Sequence, residues 1–333
     1  MQALVSVIVP IYNVAPYILR CLESIAAQSY QPIECLLIDD CGTDDSISLT
    51  EQFISEYKGD IRFSILHHEQ NKGLSCARNT GMKAANGDYI YFLDSDDAIT
   101  SDCIETLMKL MQKYPDADYV QGEIISGGQE LMKGHTDADV PEYCNNKKLL
   151  EKIILSKTHR TAWNRLFKHT FLLEHSLFFP VGILMEDHYW NYFVAKQVHA
   201  VAFAHKSIYY YYNNVGSLIN SPSKESLIKR YSSYIVVVND LIADMLQRSD
   251  LQQCHRTYVA EALTYCMKNL SQLNYISHWM IFWKFTWCLS WKLRNKFSWY
   301  RLFYLLCMMP PLCFMISING WRWRLREFIA WKL

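Results

Sequence analysis

Four short apolar runs shape the N-terminal part of this chain, and each stops at a polar turn. They lie at residues 4–9, 34–38, 61–66 and 89–93. The first, Leu4-Val5-Ser6-Val7-Ile8-Val9, does not alternate apolar with polar side chains. A strand apolar on both faces belongs inside a parallel sheet that helices cover on both sides. Helix-length stretches separate the runs. Pro16 suits the first residue of a helix. Ile18, Leu19, Leu22, Ile25 and Ala26 give that helix one apolar face, and Pro32 stops it. Thr43 is placed to cap a second helix with Asp44 and Asp45 in its first turn, where the helix dipole favours acid, and Gly59 closes it. Ser75 is placed to cap a third, running to about Asn86, and Gly87 ends it. The order β-α-β-α-β-α-β predicts an α/β fold with a doubly wound, mostly parallel sheet.

Ligands of such sheets collect at the carboxyl ends of the strands. No GxGxxG follows the first run and no GxxxxGK[ST] occurs, so an ordinary dinucleotide site and a P-loop are both unsupported. The turns carry acid and amide instead: Tyr12-Asn13, Asp39-Asp40, Asn71 and Asp94-Ser95-Asp96-Asp97. Residues two apart on an extended backbone point to the same side, so the Asp94 and Asp96 carboxylates can converge. Converging carboxylates repel unless a cation lies between them, and oxygen ligands favour Mg2+ or Mn2+. The plainer reading of these four residues is an acidic turn in water. His67-His68 reads as a solvated strand end, because neighbours on a strand point apart.

Downstream, Ser101 is placed to cap a helix, and Tyr119 to Ile125 reads as a strand. Residues 126–146 read as an irregular insertion. Thr161 to Phe167 reads as a short aromatic strand, Met185-Glu186-Asp187-His188 as a helix start, and Ile208 to Tyr212 as a strand. One side of that tyrosine run belongs in the core, and the other is a candidate lining for an acceptor cleft. From about Ser223 the pattern is helical, over Leu227 to Leu246 and Tyr258 to Leu273. The expected division is therefore 1–220 and 221–333.

Eleven cysteines, an odd number without any CxxC, argue against a disulfide scaffold or a zinc ribbon. Met1 leads almost directly into an apolar strand, so no secretory signal is expected and a reducing, cytoplasmic setting is. The formal net charge is zero, but from Lys284 onward there are nine Lys or Arg and one acid, Glu327. Leu302 to Asn319 is uncharged and long enough to span a bilayer, yet Pro310-Pro311 would break a straight helix there. Trp283, Trp287, Trp291, Trp299, Trp321, Trp323 and Trp331 flank it among basic residues. That mixture favours a membrane-associating tail, from about 280 to the end, lying in the interface. The alternative is a hydrophobic helical subdomain packed on the rest of the protein.

Four motifs in order carry a resemblance: Val5 to Asn13, Leu37 to Ser46, Asn71 to Asn79, and Phe92 to Asp97. Together they resemble family 2 glycosyltransferases, and the likeness extends through Trp163 to Phe167, Glu186-Asp187 and the Tyr211 region. It is strongest to bacterial members that build capsule, exopolysaccharide and lipopolysaccharide. It implies a GT-A fold and inverting transfer from a nucleotide-diphosphate sugar, of the UDP type, to a lipid-linked glycan acceptor. It implies that Pro10, Tyr12 and Asn13 line the nucleotide pocket and that Asp40 meets the base. Asn71, Gly73 and Arg78 would border the nucleotide, with Arg78 as a cation for the diphosphate. Asp94 and Ser95 would lie at the ribose, and Asp96 with Asp94 would hold Mn2+ or Mg2+. Asp187 would be the catalytic base, taking the proton of the acceptor hydroxyl. Cys41-Gly42-Thr43 departs from the Asp-Gly-Ser that many relatives have. Other classes stay open: an inactive nucleotide-sugar-binding or assembly subunit, and a nucleotidyltransferase, which would ordinarily bring a Gly-rich basic loop near the N-terminus. No nucleic-acid partner is expected.

Overall fold

The structure, a computed structural model, describes residues 2–126, 140–212 and 224–272. Its elements in order are β1 (Val5–Ile11), α1 (Ile18–Ala26), β2 (Ile33–Asp39), α2 (Ser46–Glu56), β3 (Arg62–His67), α3 (Leu74–Ala84), β4 (Tyr89–Phe92), β5 (Ala98–Ile99) and α4 (Cys103–Lys113). There follow β6 (Tyr119–Ser126), β7 (Tyr143–Cys144), α5 (Lys147–Ser156), β8 (Arg165–Lys168), α6 (His169–Glu174), α7 (Glu186–Gln197), β9 (Val201–Tyr211), α8 (Lys224–Gln247) and α9 (Gln253–Gln272). The chain divides into two compact units, Met1–Gly182 with Trp190–Val215, and Ile183–Tyr189 with Gly216–Leu333. The basic, Trp-rich tail and most of the expected insertion at 126–146 lie outside the described residues.

The first unit holds one sheet in the order β3-β2-β1-β4-β8-β6-β9-β5, with β7 on β9. The β3-β2-β1-β4 half is parallel, as the alternation of strands and helices predicts. Beyond it the sheet is mixed: β8 runs antiparallel to both β4 and β6, while β6 and β9 are parallel. All seven residues of β1 are buried, so both of its faces are covered. Ile18, Cys21, Leu22 and Ile25 of α1 are buried, whereas Leu19 of the expected apolar face is exposed.

Three helix starts differ from expectation. Thr43, Ser75 and Ser101 are the right residue types, but none is the N-cap. The N-caps are Asp45, Gly73 and Asp102, and none makes a side-chain capping bond. Neighbouring turns satisfy these starts instead. Asp44 accepts from Ser46 N at 3.1 Å, from Ser46 Oγ at 2.5 Å and from Ala15 N at 2.8 Å, tying the turn after β2 to the turn after β1. The expected aromatic strand begins only at Arg165, because Asn164 adopts a left-handed conformation (φ 62°).

One buried polar knot anchors the parallel half. Glu34 accepts from Ser6 Oγ at 2.6 Å, from Asn86 N at 2.6 Å and from Asn86 Nδ2 at 3.2 Å. Ser6 Oγ in turn accepts from Gly87 N at 2.9 Å. Burial pushes the Glu34 carboxyl up, but the bonds from Ser6 and Asn86 outweigh it and hold the group below its usual value. Glu34→Ala would leave the buried Ser6 hydroxyl without its acceptor and is expected to cost about 2 kcal/mol, seen as a lower Tm. A carboxylate with a depressed folded pKa stabilises above its unfolded pKa and loses that contribution as pH falls through the folded one. The difference in Tm between wild type and Glu34→Ala should therefore shrink in acid.

In the second unit α8 packs on α9, with Val237, Val238 and Leu241 of α8 and Tyr258, Val259 and Ala262 of α9 buried. Among the described residues no helix is long and apolar enough to cross a membrane.

Candidate functional site

The acidic turn begins where β4 ends. Leu93 N still donates to Ile8 O of β1 at 3.0 Å, and the chain then turns so that Asp97 N donates to Asp94 O at 3.0 Å. Asp94 and Asp96 are half-buried, while Ser95 and Asp97 are buried. Asp97 does not face a ligand. It accepts from Tyr209 Oη at 2.7 Å and from Tyr212 N at 2.9 Å, fixing the turn to the end of β9. Burial first, then the nearby charges of Asp94 and Asp96, push its carboxyl up to about 8. Arg20 of α1 donates to Asp96 O at 2.6 Å and lies 3.5 Å from the centroid of the Tyr212 ring. The turn is thus held from α1 and β9 while its two half-buried carboxylates remain at the surface.

Arg78 is 1% exposed, and its Nη2 donates to Asp94 Oδ1 at 2.9 Å. Its guanidinium also lies 5.2 Å from the centroid of Phe179. Arg78 thus orients Asp94, a use that suits the rigid guanidinium fork.

The neighbouring strand ends supply the rest. Pro10 is buried in β1 beside Ile38, and the Tyr12 side chain is 41% exposed just beyond. Asn13 is exposed and left-handed (φ 52°), and its Oδ1 accepts from Thr43 N at 2.7 Å. A Cβ at Gly42 would stand 3.0 Å from that same oxygen, so a side chain there would make Asn13 give way by a few tenths of an ångström. Cys41 beside it is also left-handed (φ 60°). Asn71 is exposed, and Gly73 opens α3 at φ 86°, where a side chain would be strained. Asp40 is 3% exposed; its Oδ1 accepts from Lys72 N and its Oδ2 from Gly73 N, each at 2.8 Å. A carboxylate oxygen can accept two hydrogen bonds, so Oδ2 retains capacity towards a base. Pro10, Tyr12, Asn13, Asp40, Asn71, Gly73, Asp94, Ser95 and Asp96 therefore all lie at one edge of one sheet.

The donor set suits a hard cation of a particular kind. Among the described residues no three His, Cys, Asp or Glu side chains group as a cage. Mg2+ commonly takes only one or two carboxylates from the protein and completes its shell with water and substrate phosphates. Asp96 and Asp94 together fit that pattern.

The model of the glycosyl transferase family 2 matches residues 6–175, which include every strand-end turn just described. The chain belongs to glycosyl transferase family 2. The glycosyltransferase GlyA of Streptococcus pneumoniae is 35% identical over 224 residues, 64% of this chain but only 31% of that protein. Staphylococcus aureus TarS 1–349, solved with UDP-GlcNAc, superposes with a TM-score of 0.70 at 18% identity, over 97% of this chain and 90% of that one. The mannosyltransferase PcManGT of Pyrobaculum calidifontis, solved with GDP-Man and Mn2+, gives 0.56 at 16% identity, over 100% and 86%. These likenesses identify the fold as GT-A.

The candidate base, Asp187, sits half-buried in the first turn of α7, within the second unit. Met185, two residues earlier, holds φ 64°, a strained value for a long side chain, and His188 N closes the turn on Met185 O at 3.1 Å. Trp163 stacks on Tyr209 at 4.4 Å and on Tyr211 at 5.6 Å, so one side of the tyrosine run is a ladder reaching from the core to the 36%-exposed Tyr211. Sequence reasoning missed Arg20, Asp97 and His68. For Arg20 nothing local signals the role, since its partner lies 76 residues away. His68 corrects the solvated strand end: it is buried, and only the adjacent His67 is exposed. Neighbours on a strand do point apart, and here one of the two points inward.

Proposed function

We propose that the chain is an inverting glycosyltransferase that moves a sugar from a nucleotide-diphosphate donor of the UDP-sugar class to a hydroxyl of a lipid-linked glycan during bacterial cell-surface polysaccharide synthesis. The observation that carries this reading is the gathering, at one sheet edge, of the turns after β1, β2, β3 and β4 around Asp94 and Asp96. The donors seen with TarS and PcManGT support a nucleotide sugar as the ligand. Tyr12, Asn13, Asp40, Asn71 and Gly73 line the nucleotide side, Ser95 and Asp94 the ribose and diphosphate, and Arg78 keeps Asp94 in place. Asp96 and Asp94 would hold a divalent cation, whose charge would offset that of the departing diphosphate. Asp187 accepts the proton of the attacking hydroxyl, and a single displacement inverts the anomeric centre without a protein nucleophile. The basic, Trp-rich tail places the enzyme peripherally on the cytoplasmic face of a membrane, where a lipid-linked acceptor would be confined.

The experiment is a screen of UDP- and GDP-sugars, reading release of nucleoside diphosphate with and without a lipid-linked acceptor. Acceptor-dependent release from one donor, stopped by chelator, is expected. Tight nucleotide binding with no release from any donor would instead make the chain a binding subunit. A second readout concerns the tail: deletion from Phe282 onward should move the protein from the membrane fraction to the soluble one. High salt should release part of the full-length protein, because the electrostatic attraction is screened.

A further inference from the structure

His68 lies just past the end of β3, with its side chain 5% exposed, and both ring nitrogens are engaged. Nδ1 stands 2.7 Å from Asp40 Oδ1, and Nε2 stands 2.9 Å from Thr80 Oγ1 of α3. An ionised carboxylate only accepts, so Nδ1 is the donor of the first bond. Asp40 in turn accepts from the backbone N–H groups of Lys72 and Gly73. Gly73 is the left-handed N-cap of α3, and α3 carries Arg78, which grips Asp94. One continuous chain of hydrogen bonds and helix therefore runs from His68 through Asp40 to the start of α3, and from α3 to the acidic turn.

We infer that His68 is a positioning residue for the nucleotide site. By holding the Asp40 carboxylate it keeps the Lys72–Gly73 turn in its binding conformation before any ligand arrives. The role of that turn in nucleotide binding rests on the function proposed above. A buried carboxylate that loses its side-chain donor can rotate away from the two backbone amides, and both of them then open to water. His68 touches no ligand in this scheme, and its effect passes entirely through Asp40.

Two substitutions separate the two ring nitrogens. His68→Asn offers an amide nitrogen where Nδ1 stands and keeps the bond to Asp40. His68→Gln offers it where Nε2 stands, keeping the bond to Thr80 and losing the one to Asp40. Full-length wild type and both variants are compared by melting curve, by hydrogen exchange of the peptide covering residues 69–75, and by calorimetric binding of UDP with Mn2+. All three should melt cooperatively. His68→Gln should exchange that segment roughly tenfold faster and bind UDP roughly tenfold more weakly, the scale of one hydrogen bond to a charged group. His68→Asn should stay within about twofold of wild type in both, the margin expected when the charged hydrogen bond is kept. Equal behaviour of the two variants, or wild-type exchange in His68→Gln, overturns the inference. Should His68→Gln fail to fold, His68→Ala compared with Thr80→Val carries the same test, because the first loses the donor to Asp40 and the second loses only the partner of Nε2. If wild type itself does not bind UDP, the proposed donor class fails, while the exchange comparison still decides the role of His68.

Discussion

Asp187→Asn is expected to keep nucleotide binding and to lose sugar transfer by roughly a hundredfold or more. Asparagine preserves the shape at the start of α7 but has no basic oxygen to take a proton. The hydroxyl of the acceptor would then attack the anomeric carbon while still protonated, and only that step slows. Two measurements check this: UDP binding, which should match wild type, and the transfer rate at saturating donor, which should fall. Transfer at the wild-type rate would remove Asp187 from the chemistry. Loss of nucleotide binding together with transfer would make it a structural acid, favoured in the first turn of α7 by the helix dipole.

Asp96→Ala is expected to remove the metal dependence of donor binding and to lower transfer by roughly a hundredfold or more. Stabilising a leaving diphosphate is worth several kcal/mol, at tenfold per about 1.4 kcal/mol. The side chain is half-buried at a surface turn, and the turn itself is held by backbone and neighbouring groups: Arg20 on Asp96 O, and Tyr209 and Tyr212 on Asp97. The fold should therefore survive, with a melting temperature close to wild type. The contrast is Asp97→Ala, which removes a buried acceptor from two donors and should destabilise the protein. Full turnover by Asp96→Ala, or by wild type in excess chelator, would contradict the metal role.

The parallel half of the fold was legible because its signals are local. Runs such as Leu4–Val9 are apolar on both faces, and the turns that follow them carry their own polar residues. The acidic turn was legible as a polar stop after an apolar run, but its geometry was not: the two-apart argument assumes an extended backbone, whereas Asp97 N bonds back to Asp94 O and residues 94–97 form a turn. What escaped was long-range. The bond between His68 and Asp40 joins residues 28 apart, and that between Asp97 and Tyr209 joins residues 112 apart. No periodicity reports either. Two of the misplaced helix caps lie beside such bonds: Asn13 captures the Thr43 amide, and Asp40 captures the turn before Ser75. From its motif Arg78 read as a cation for the diphosphate. Its burial against Asp94 and Phe179 became visible only with the sheet assembled.

The most direct measurement is a crystal structure of the full chain soaked with UDP and Mn2+, with anomalous scattering recorded at the manganese edge. The expected result is a manganese peak bonded to an Asp96 carboxylate oxygen and to the diphosphate, with uracil lying among Tyr12, Asn13 and Asp40. A nucleotide bound away from the strand-end turns, or a manganese peak with no contact to Asp96 or Asp94, would contradict it.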